Sequence, residues 1–240
     1  MNVGSGFAGY PSAGALPDAV AQRFLTHVYQ LMGCGLGVTG IVALIISASE
    51  SLTRFFLGNP FMIGAVVIAQ LVTVFAFQGL ARRVSEGALA AMFFVYAALT
   101  GVTFAAIFLV YTGASIAGTF LVTAGAFGGL AAYGMLTKRD LGPWRSFLFM
   151  GLIGVILASV VGFFLHSPAL YWLTTFAGVV VFAGLTAYDS ARLKQLAATS
   201  DLRGEGARKL ALMGALTMYL DFINLFILLL RFFGQQRRRD

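Results

Sequence analysis

Seven apolar stretches, each long enough to cross a lipid bilayer, constrain what this chain can fold into. They cover approximately residues 24–48, 60–80, 88–111, 114–136, 146–165, 168–188 and 210–233. A membrane-spanning helix needs about 20 predominantly apolar residues, and in hydrocarbon only helices and closed barrels satisfy every backbone hydrogen bond. The sequence therefore predicts an all-α integral membrane protein with seven transmembrane helices.

The composition argues against several functional classes. Hydrophobic residues make up 59% of the 240 residues and charged residues 10%, against roughly 25% charged residues in an average soluble domain. The basic residues behind the net charge of +7 lie between apolar runs and form no patch interleaved with aromatics, so no nucleic acid partner is expected. The sequence contains neither GxSxG nor HExxH, and His27 and His166 have no metal-ligand spacing. We expect no soluble hydrolase or metalloprotease chemistry and no cofactor.

The positions of Lys and Arg predict a cytoplasmic N-terminus. With that orientation the inner segments hold eleven of the sixteen Lys and Arg residues, and the outer loops hold only Arg54. Residues 1–22 lack the pattern of a cleavable signal peptide and are expected to form a flexible cytoplasmic segment before a transmembrane domain over residues 23–234. The basic tail QQRRRD, residues 235–240, opposes the positive-inside rule. Either it crosses to the outside, which we prefer, or the seventh segment is re-entrant.

The seventh run, LALMGALTMYLDFINLFILLLRFF, carries a carboxylate near its middle. At 3.6 residues per helical turn, Gly214, Thr217, Asp221 and Asn224 fall on one stripe. A carboxylate at that depth costs several kcal/mol if it faces lipid, so Asp221 is expected to face a partner, a cavity or an ion path. We predict that the last helix is lodged inside the bundle, with Thr217 and Asn224 as candidate pore-lining residues.

Asp189 and Asp221 are the two carboxylates at or within the membrane, because the other Asp and Glu residues belong to loops and tails. If the sixth and seventh spans are neighbours, the two side chains can meet and share one proton, which makes a pH-dependent element. The alternative is that Asp189 is only an interfacial residue near a helix end. Depth favours that alternative, since Asp189 lies about 4.5 Å along the helix from Arg192, whereas Asp221 lies about 18 Å from Lys209.

Small residues recur at helical spacing in several spans. The pairs are Gly33 with Gly37, Gly125 with Gly129, and Gly151 with Gly154. Such pairs allow helix backbones to approach one another closely. We expect them to be packing positions.

Four stretches carry a resemblance to a known family. They are FLTHVYQLMGCGLGVTG in the first span, LTKRDLGPWRSFLFMGLIG leading into the fifth, YDSARLK at the end of the sixth, and MYLDFINLFILLLRFFG in the seventh. The chain resembles the transmembrane Bax inhibitor motif family, in its bacterial branch. The resemblance implies seven helices with the last one central in the bundle, a place in the bacterial inner membrane, and a pH-sensitive calcium leak gated by Asp189 and Asp221.

The resemblance also implies a latch on Asp189. In the family an arginine at the inner end of the second helix holds this aspartate, and the match falls best on Arg83, with Arg82 as the alternative. Two features depart from the family pattern. Gly162 stands where many relatives have Asn, and the basic tail is unusual for an outer terminus.

Three functions are compatible with an aspartate pair in a membrane. The first is a cation leak, in which Asp189 and Asp221 bind calcium weakly and transiently. The second is an intramembrane aspartyl protease, which the MYL before Asp221 disfavours, because those proteases have a glycine-flanked aspartate there. The third is a non-conducting protein that binds lipids or other membrane proteins, although the sequence identifies no particular partner. We favour the cation leak and therefore expect the protein to have no enzymatic activity.

The topology gives the first testable prediction. Reporter fusions at Asp201 and after Asp240 should report opposite sides of the membrane, because the seventh span separates them. Cytoplasmic signals from both fusions would show that the seventh segment returns to its starting side.

Overall fold

The computed structural model describes residues 18–200, 202 and 204–237 of the chain. This part contains eight α-helices and no β-strand: α1 (Asp18–Ala48), α2 (Glu50–Phe56), α3 (Pro60–Leu80), α4 (Glu86–Val110), α5 (Gly113–Leu136), α6 (Trp144–Leu165), α7 (Pro168–Thr199) and α8 (Gly204–Phe233). Seven of them are long and apolar enough to cross a membrane. The predicted all-α fold with seven spans is confirmed. The short α2 follows the first span and was not predicted.

Local sequence explains where several of the spans begin. Side-chain oxygens of Asn59, Ser85, Thr112 and Ser167 accept hydrogen bonds from backbone N–H groups in the first turns of α3, α4, α5 and α7. These groups have no partner within their own helix, so a polar cap stabilises each start. In α3 and α7 the cap is followed by proline, which fits the first helical position because its missing N–H is not needed there.

Two helices extend well beyond the predicted spans. α1 begins at Asp18, so residues 18–22 are helical, in contrast to the flexible segment expected to reach residue 22. α7 continues to Thr199, eleven residues past the expected end at residue 188. The α7 extension is amphipathic: Leu193 and Ala197 are buried, while Arg192, Lys194 and Ala198 are exposed. Average hydropathy identifies the lipid-embedded part of a helix and misses such ends. Residues 1–17 and 238–240 lie outside the described part.

α8 packs against α1, α4, α5 and α7, and half of its residues are buried. By contrast, α3 packs mainly on α4, and α6 packs mainly on α7. Both outer helices present large apolar side chains outward, such as Phe75 on α3 and Phe147 on α6. Exposed apolar surface of this extent is expected where a helix faces lipid.

α8 runs alongside α4 from one end of the bundle to the other. At the first end Arg208 forms an ion pair with Glu86, and the Glu86 backbone N–H donates to Glu205. At the far end the Arg237 N–H donates to the Val110 carbonyl at 2.8 Å, and residues 111 and 236 form an isolated β-bridge. The thirty residues of α8 extend about 45 Å, more than the hydrocarbon thickness of about 30 Å. A re-entrant segment would return the tail to the Glu86 end, whereas residues 235–237 lie at the opposite end.

The prediction that these glycine pairs are packing positions is wrong for five of the six glycines. A Cβ placed on Gly33, Gly37, Gly125, Gly129 or Gly154 would meet no atom within 4 Å. Only Gly151 meets a neighbour, Val181 at 2.9 Å. Helical spacing shows that two glycines share a face, but it does not show whether that face meets a helix or open space.

Other glycines make the close approaches between helices. A Cβ on Gly134 of α5 would overlap the carbonyl oxygen of Ala187 on α7, and a Cβ on Gly101 of α4 would lie 2.7 Å from the carbonyl oxygen of Thr39 on α1. Contacts with a backbone carbonyl cannot be relieved by a side-chain rotation. These two glycines therefore set how closely their helices pack.

Gly134→Ala should destabilise the bundle by about 1–3 kcal/mol, because the added methyl group forces α5 away from α7. Gly129→Ala on the same helix adds the same methyl group in open space and serves as the control. Thermal unfolding of both purified variants in detergent should show a lower Tm only for Gly134→Ala. Equal effects of the two substitutions would contradict the close α5–α7 approach.

Candidate functional site

One stripe of α8 is left uncovered by its neighbours. Within the membrane-spanning part of α8, most positions are buried, but a series spaced three or four residues apart is partly or fully exposed: Met213, Thr217, Leu220, Asn224, Ile227 and Arg231. This spacing follows one face of an α-helix. The stripe that the sequence predicts, through Thr217 and Asn224, therefore borders open space.

That open space is a cavity of about 840 Å³ lined by α6, α7 and α8, with Gln78 contributed by α3. Asp189, Asp221, Thr217 and Asn224 all line it. A smaller crevice of about 290 Å³ between α3, α7 and α8 shares Gln78, Asp189 and Thr217 with it, so the two are contiguous. The structure thus brings four of the predicted site residues to one cavity.

The carboxyl groups of Asp189 and Asp221 lie within hydrogen-bonding reach of each other. Asp221 is only 5% exposed, and its Oδ2 is a fully buried atom without a hydrogen-bond partner among the described residues. Two ionised carboxylates have no proton to donate, and a buried polar atom without a partner is costly. A proton held between the two groups would supply the donor that the pair lacks.

The expected difference in depth between the two aspartates is not observed. Arg192, which the sequence places at the membrane interface, is exposed and also lines the cavity beside Asp189. α7 continues beyond it to Thr199, and α8 begins at Gly204, six residues before the predicted span. Both helices therefore extend past their apolar parts, which allows Asp189 to lie beside Asp221.

Polar contacts with α1 position both aspartate-bearing helices. The Tyr29 hydroxyl lies 3.3 Å from the Ser190 hydroxyl, next to Asp189 in sequence. The Thr39 hydroxyl lies 2.6 Å from the Tyr219 hydroxyl, two residues before Asp221, and 2.9 Å from the Ala97 carbonyl oxygen of α4. Buried hydrogen bonds of this kind fix helix rotation as well as distance. Rotation of α8 away from Asp189 would require breaking the contact with Tyr219.

Thr217 and Asn224 are anchored to their own helix. Thr217 Oγ1 donates to the Met213 carbonyl at 3.2 Å, and Asn224 Nδ2 donates to the Leu220 carbonyl at 2.8 Å. Each bond uses a donor and leaves the side-chain oxygen available as an acceptor. Among the described residues, no three or more His, Cys, Asp and Glu side chains lie together in a group that could hold a metal ion. A cation in this cavity would therefore meet two carboxylates and neutral oxygens.

The cations nearest the pair differ from those expected. Arg192 and Arg145 lie close enough to Asp189 to stabilise its ionised form. Arg82 and Arg83 are exposed in the turn after α3, and no ion pair joins either of them to Asp189 within the described residues. The sequence identifies Arg145 only as a topological charge. Its proximity to Asp189 arises from the packing of α6 on α7, which no sequence pattern indicates.

The sequence of this chain is similar to those of known membrane proteins. The family described as "Inhibitor of apoptosis-promoting Bax1" matches residues 21–238. The chain belongs to the Bax inhibitor family. It is 46% identical over 222 residues to the inner membrane protein YbhL of Escherichia coli K12, covering 92% of this chain and 95% of that protein.

Two further relatives match over similar lengths. An uncharacterized protein of Borreliella burgdorferi is 39% identical over 218 residues, covering 91% of this chain and 94% of its own length. An uncharacterized protein of Rickettsia prowazekii is 39% identical over 222 residues, covering 92% of each chain. The match includes both aspartate-bearing helices of this family member.

Cysteine labelling tests the uncovered stripe. Cys34 is the only cysteine, so Cys34→Ala provides a background without thiols. In that background Thr217→Cys and Asn224→Cys should react with a small cationic thiol reagent, because both positions line the cavity. Ala215→Cys on the same helix is the matched control, since Ala215 is fully buried. Labelling of the control as fast as the stripe positions would show that α8 has a different rotation.

Proposed function

We propose that this Bax inhibitor family protein is a pH-sensitive leak pathway for cations, with calcium as the transported ion. It acts in the bacterial inner membrane, with its N-terminus in the cytoplasm. The observation that carries the proposal is the contact between Asp189 and Asp221 inside a half-open cavity, where Asp221 Oδ2 is buried without a partner in the described structure. Gating by a shared proton explains why two acids are placed together at this depth.

Charge repulsion supplies the energy for gating. With one shared proton the two aspartates attract each other through a hydrogen bond, whereas loss of that proton leaves two adjacent negative charges. At an effective dielectric constant near 20, unit charges about 4 Å apart repel by about 4 kcal/mol. About 5.5 kcal/mol shifts a two-state population from 1:99 to 99:1. Deprotonation therefore favours an arrangement in which α7 and α8 hold the two groups apart.

The cavity suits a weakly bound hard cation. Calcium prefers oxygen ligands and usually takes six to eight of them. Asp189 and Asp221 offer carboxylate oxygens, and Thr217 and Asn224 offer neutral ones. Two carboxylates are too few for tight binding, and conduction requires that an ion leaves as readily as it enters. The site is thus suited to transient occupation by an ion that passes through.

The aspartate pair also supports a second candidate, an intramembrane aspartyl protease. Two acids in contact on neighbouring helices can share a proton and activate water. A third possibility is a non-conducting protein that binds lipids or other membrane proteins. Purified protein in calcium-loaded liposomes separates the three, because only the leak predicts calcium flux without a partner. Cleavage of a membrane-embedded peptide without flux would favour the protease.

We propose that Arg83 is a latch that holds Asp189 in a second closed arrangement, because no described ion pair joins the two residues where Asp189 contacts Asp221. Gln78, five residues earlier on α3, already lines the cavity with Asp189, and a guanidinium can hold a carboxylate through two parallel hydrogen bonds. Arg83→Ala should therefore raise the resting calcium leak of liposomes. An increase with Arg82→Ala but not with Arg83→Ala would assign the latch to Arg82. An unchanged leak in both variants would contradict the latch.

Calcium flux through liposomes containing the wild-type protein should increase between about pH 5 and 8, because loss of the shared proton creates the repulsion that opens the pair. Asp189→Asn and Asp221→Asn should each flatten this dependence, since an amide keeps the hydrogen bond at every pH. Asp140→Asn is the matched control, because Asp140 is an exposed carboxylate in the loop before α6. Flux that falls with rising pH, or a response that survives both dyad substitutions, would contradict gating by repulsion.

A further inference from the structure

The cavity has apolar walls and a basic mouth. Its α6 wall includes Phe149, Leu152, Val155 and Ile156. At the start of that wall Arg145 on α6 and Arg192 on α7 both line the cavity and are exposed. Val160 lies fifteen positions after Arg145 on the α6 wall, which corresponds to about 22 Å and exceeds the half-thickness of a hydrocarbon core, about 15 Å. An amphipathic anion with a long apolar tail matches this combination.

The two arginines at the mouth are available to an anion. No described carboxylate lies within 4 Å of either guanidinium, although both act on Asp189 from a greater distance. α6 begins one residue before Arg145 without a side-chain cap, and the N-terminal end of a helix favours negative charge. Trp144 at the same helix end is exposed, as is typical of residues at the membrane interface. The mouth thus combines two free guanidinium groups with an interfacial position.

We propose that this mouth binds an anionic phospholipid, with the phosphate held by Arg145 and Arg192 and one acyl chain lying along the α6 wall. Guanidinium groups match phosphate oxygens through parallel charge-assisted hydrogen bonds. Basic pockets between transmembrane helices on the cytoplasmic side are suited to anionic headgroups. The weak packing of α6, which lies mainly on α7, leaves this side of the cavity accessible from the bilayer.

Lipid binding has a consequence for the aspartate pair, and this step rests on the proposed leak function. The charged groups around Asp189 are Asp221 on α8, Arg192 on α7 and Arg145 on α6, while α3 and α1 contribute the neutral Gln78 and Tyr29. A phosphate that engages both arginines removes positive charge from the surroundings of Asp189. The ionised pair is then less stable, so bound anionic lipid favours the shared proton and the closed state.

Native mass spectrometry of the full chain tests the binding step with phosphatidylglycerol as the probe. Arg145→Gln with Arg192→Gln should weaken phosphatidylglycerol retention by at least about tenfold, the loss expected for one charge-assisted contact. Lys138→Gln with Arg139→Gln is the control, because it removes two positive charges from the loop before α6 without touching the cavity lining. Equal loss of phosphatidylglycerol retention in both double variants would show that general surface charge causes the effect, and it would contradict a binding site at Arg145 and Arg192.

A second measurement does not depend on folding of the arginine variants. Phosphatidylglycerol, but not phosphatidylcholine, should slow thiol labelling of Thr217→Cys in the Cys34→Ala background, because Thr217 lines the same cavity. Equal protection by soluble glycerol phosphate would show that the site takes free phosphate and would overturn the lipid assignment. No protection by phosphatidylglycerol would overturn the site itself.

Calcium flux then separates this inference from the proposed function. At fixed pH the wild-type leak should be lower in phosphatidylglycerol liposomes than in phosphatidylcholine liposomes. Binding of phosphatidylglycerol without any change of leak would overturn the regulatory step alone. Absence of calcium flux in every lipid would overturn the proposed leak and leave the binding result standing.

Discussion

The structure depends on the burial of one carboxyl group, that of Asp221, in the middle of a membrane-spanning helix. A charged group at that depth is costly unless it meets a partner or an open path. Both are present: Asp189 lies within hydrogen-bonding reach, and the cavity beside α6 borders the pair. The packing of α8 against four other helices leaves one stripe of its membrane-spanning part open, and Thr217, Asp221 and Asn224 lie on or beside that stripe.

The two outer helices, α3 and α6, are the least tightly packed parts of the bundle. α1, α4, α5 and α7 all pack against α8, and close contacts such as Gly134 against Ala187 join neighbouring helices of this group. α3 and α6 each pack mainly on a single neighbour, so they can move with little loss of buried surface. The cavity lies where these two helices leave α8 uncovered. A change in charge at the aspartates therefore acts beside the least constrained part of the bundle.

The lengths of the apolar runs predicted the seven spans, because bilayer thickness sets a minimum length for an apolar helix and soluble folds seldom contain uninterrupted apolar runs of that length. The same signal misplaced helix ends, since the polar turns of α7 up to Thr199 add nothing to hydropathy. Asp221 was found because a carboxylate inside an apolar run is conspicuous. The depth argument against contact between the two aspartates fails because α7 continues to Thr199 and α8 begins at Gly204, so both helices extend past their apolar parts and Asp189 lies beside Asp221. Arg145 was missed as a site residue because its proximity to Asp189 arises from the packing of α6 on α7.

Infrared difference spectroscopy of the purified protein in liposomes tests the shared proton most directly, because a protonated carboxyl group has a C=O stretching band that a carboxylate lacks. A shared proton predicts such a band at about pH 5, at the acidic end of the range in which calcium flux increases, shifted when Asp189 is replaced by Asn and likewise when Asp221 is replaced. The band should disappear as pH rises over that range. Absence of any protonated carboxyl band at about pH 5, or a band that neither substitution alters, would contradict the account.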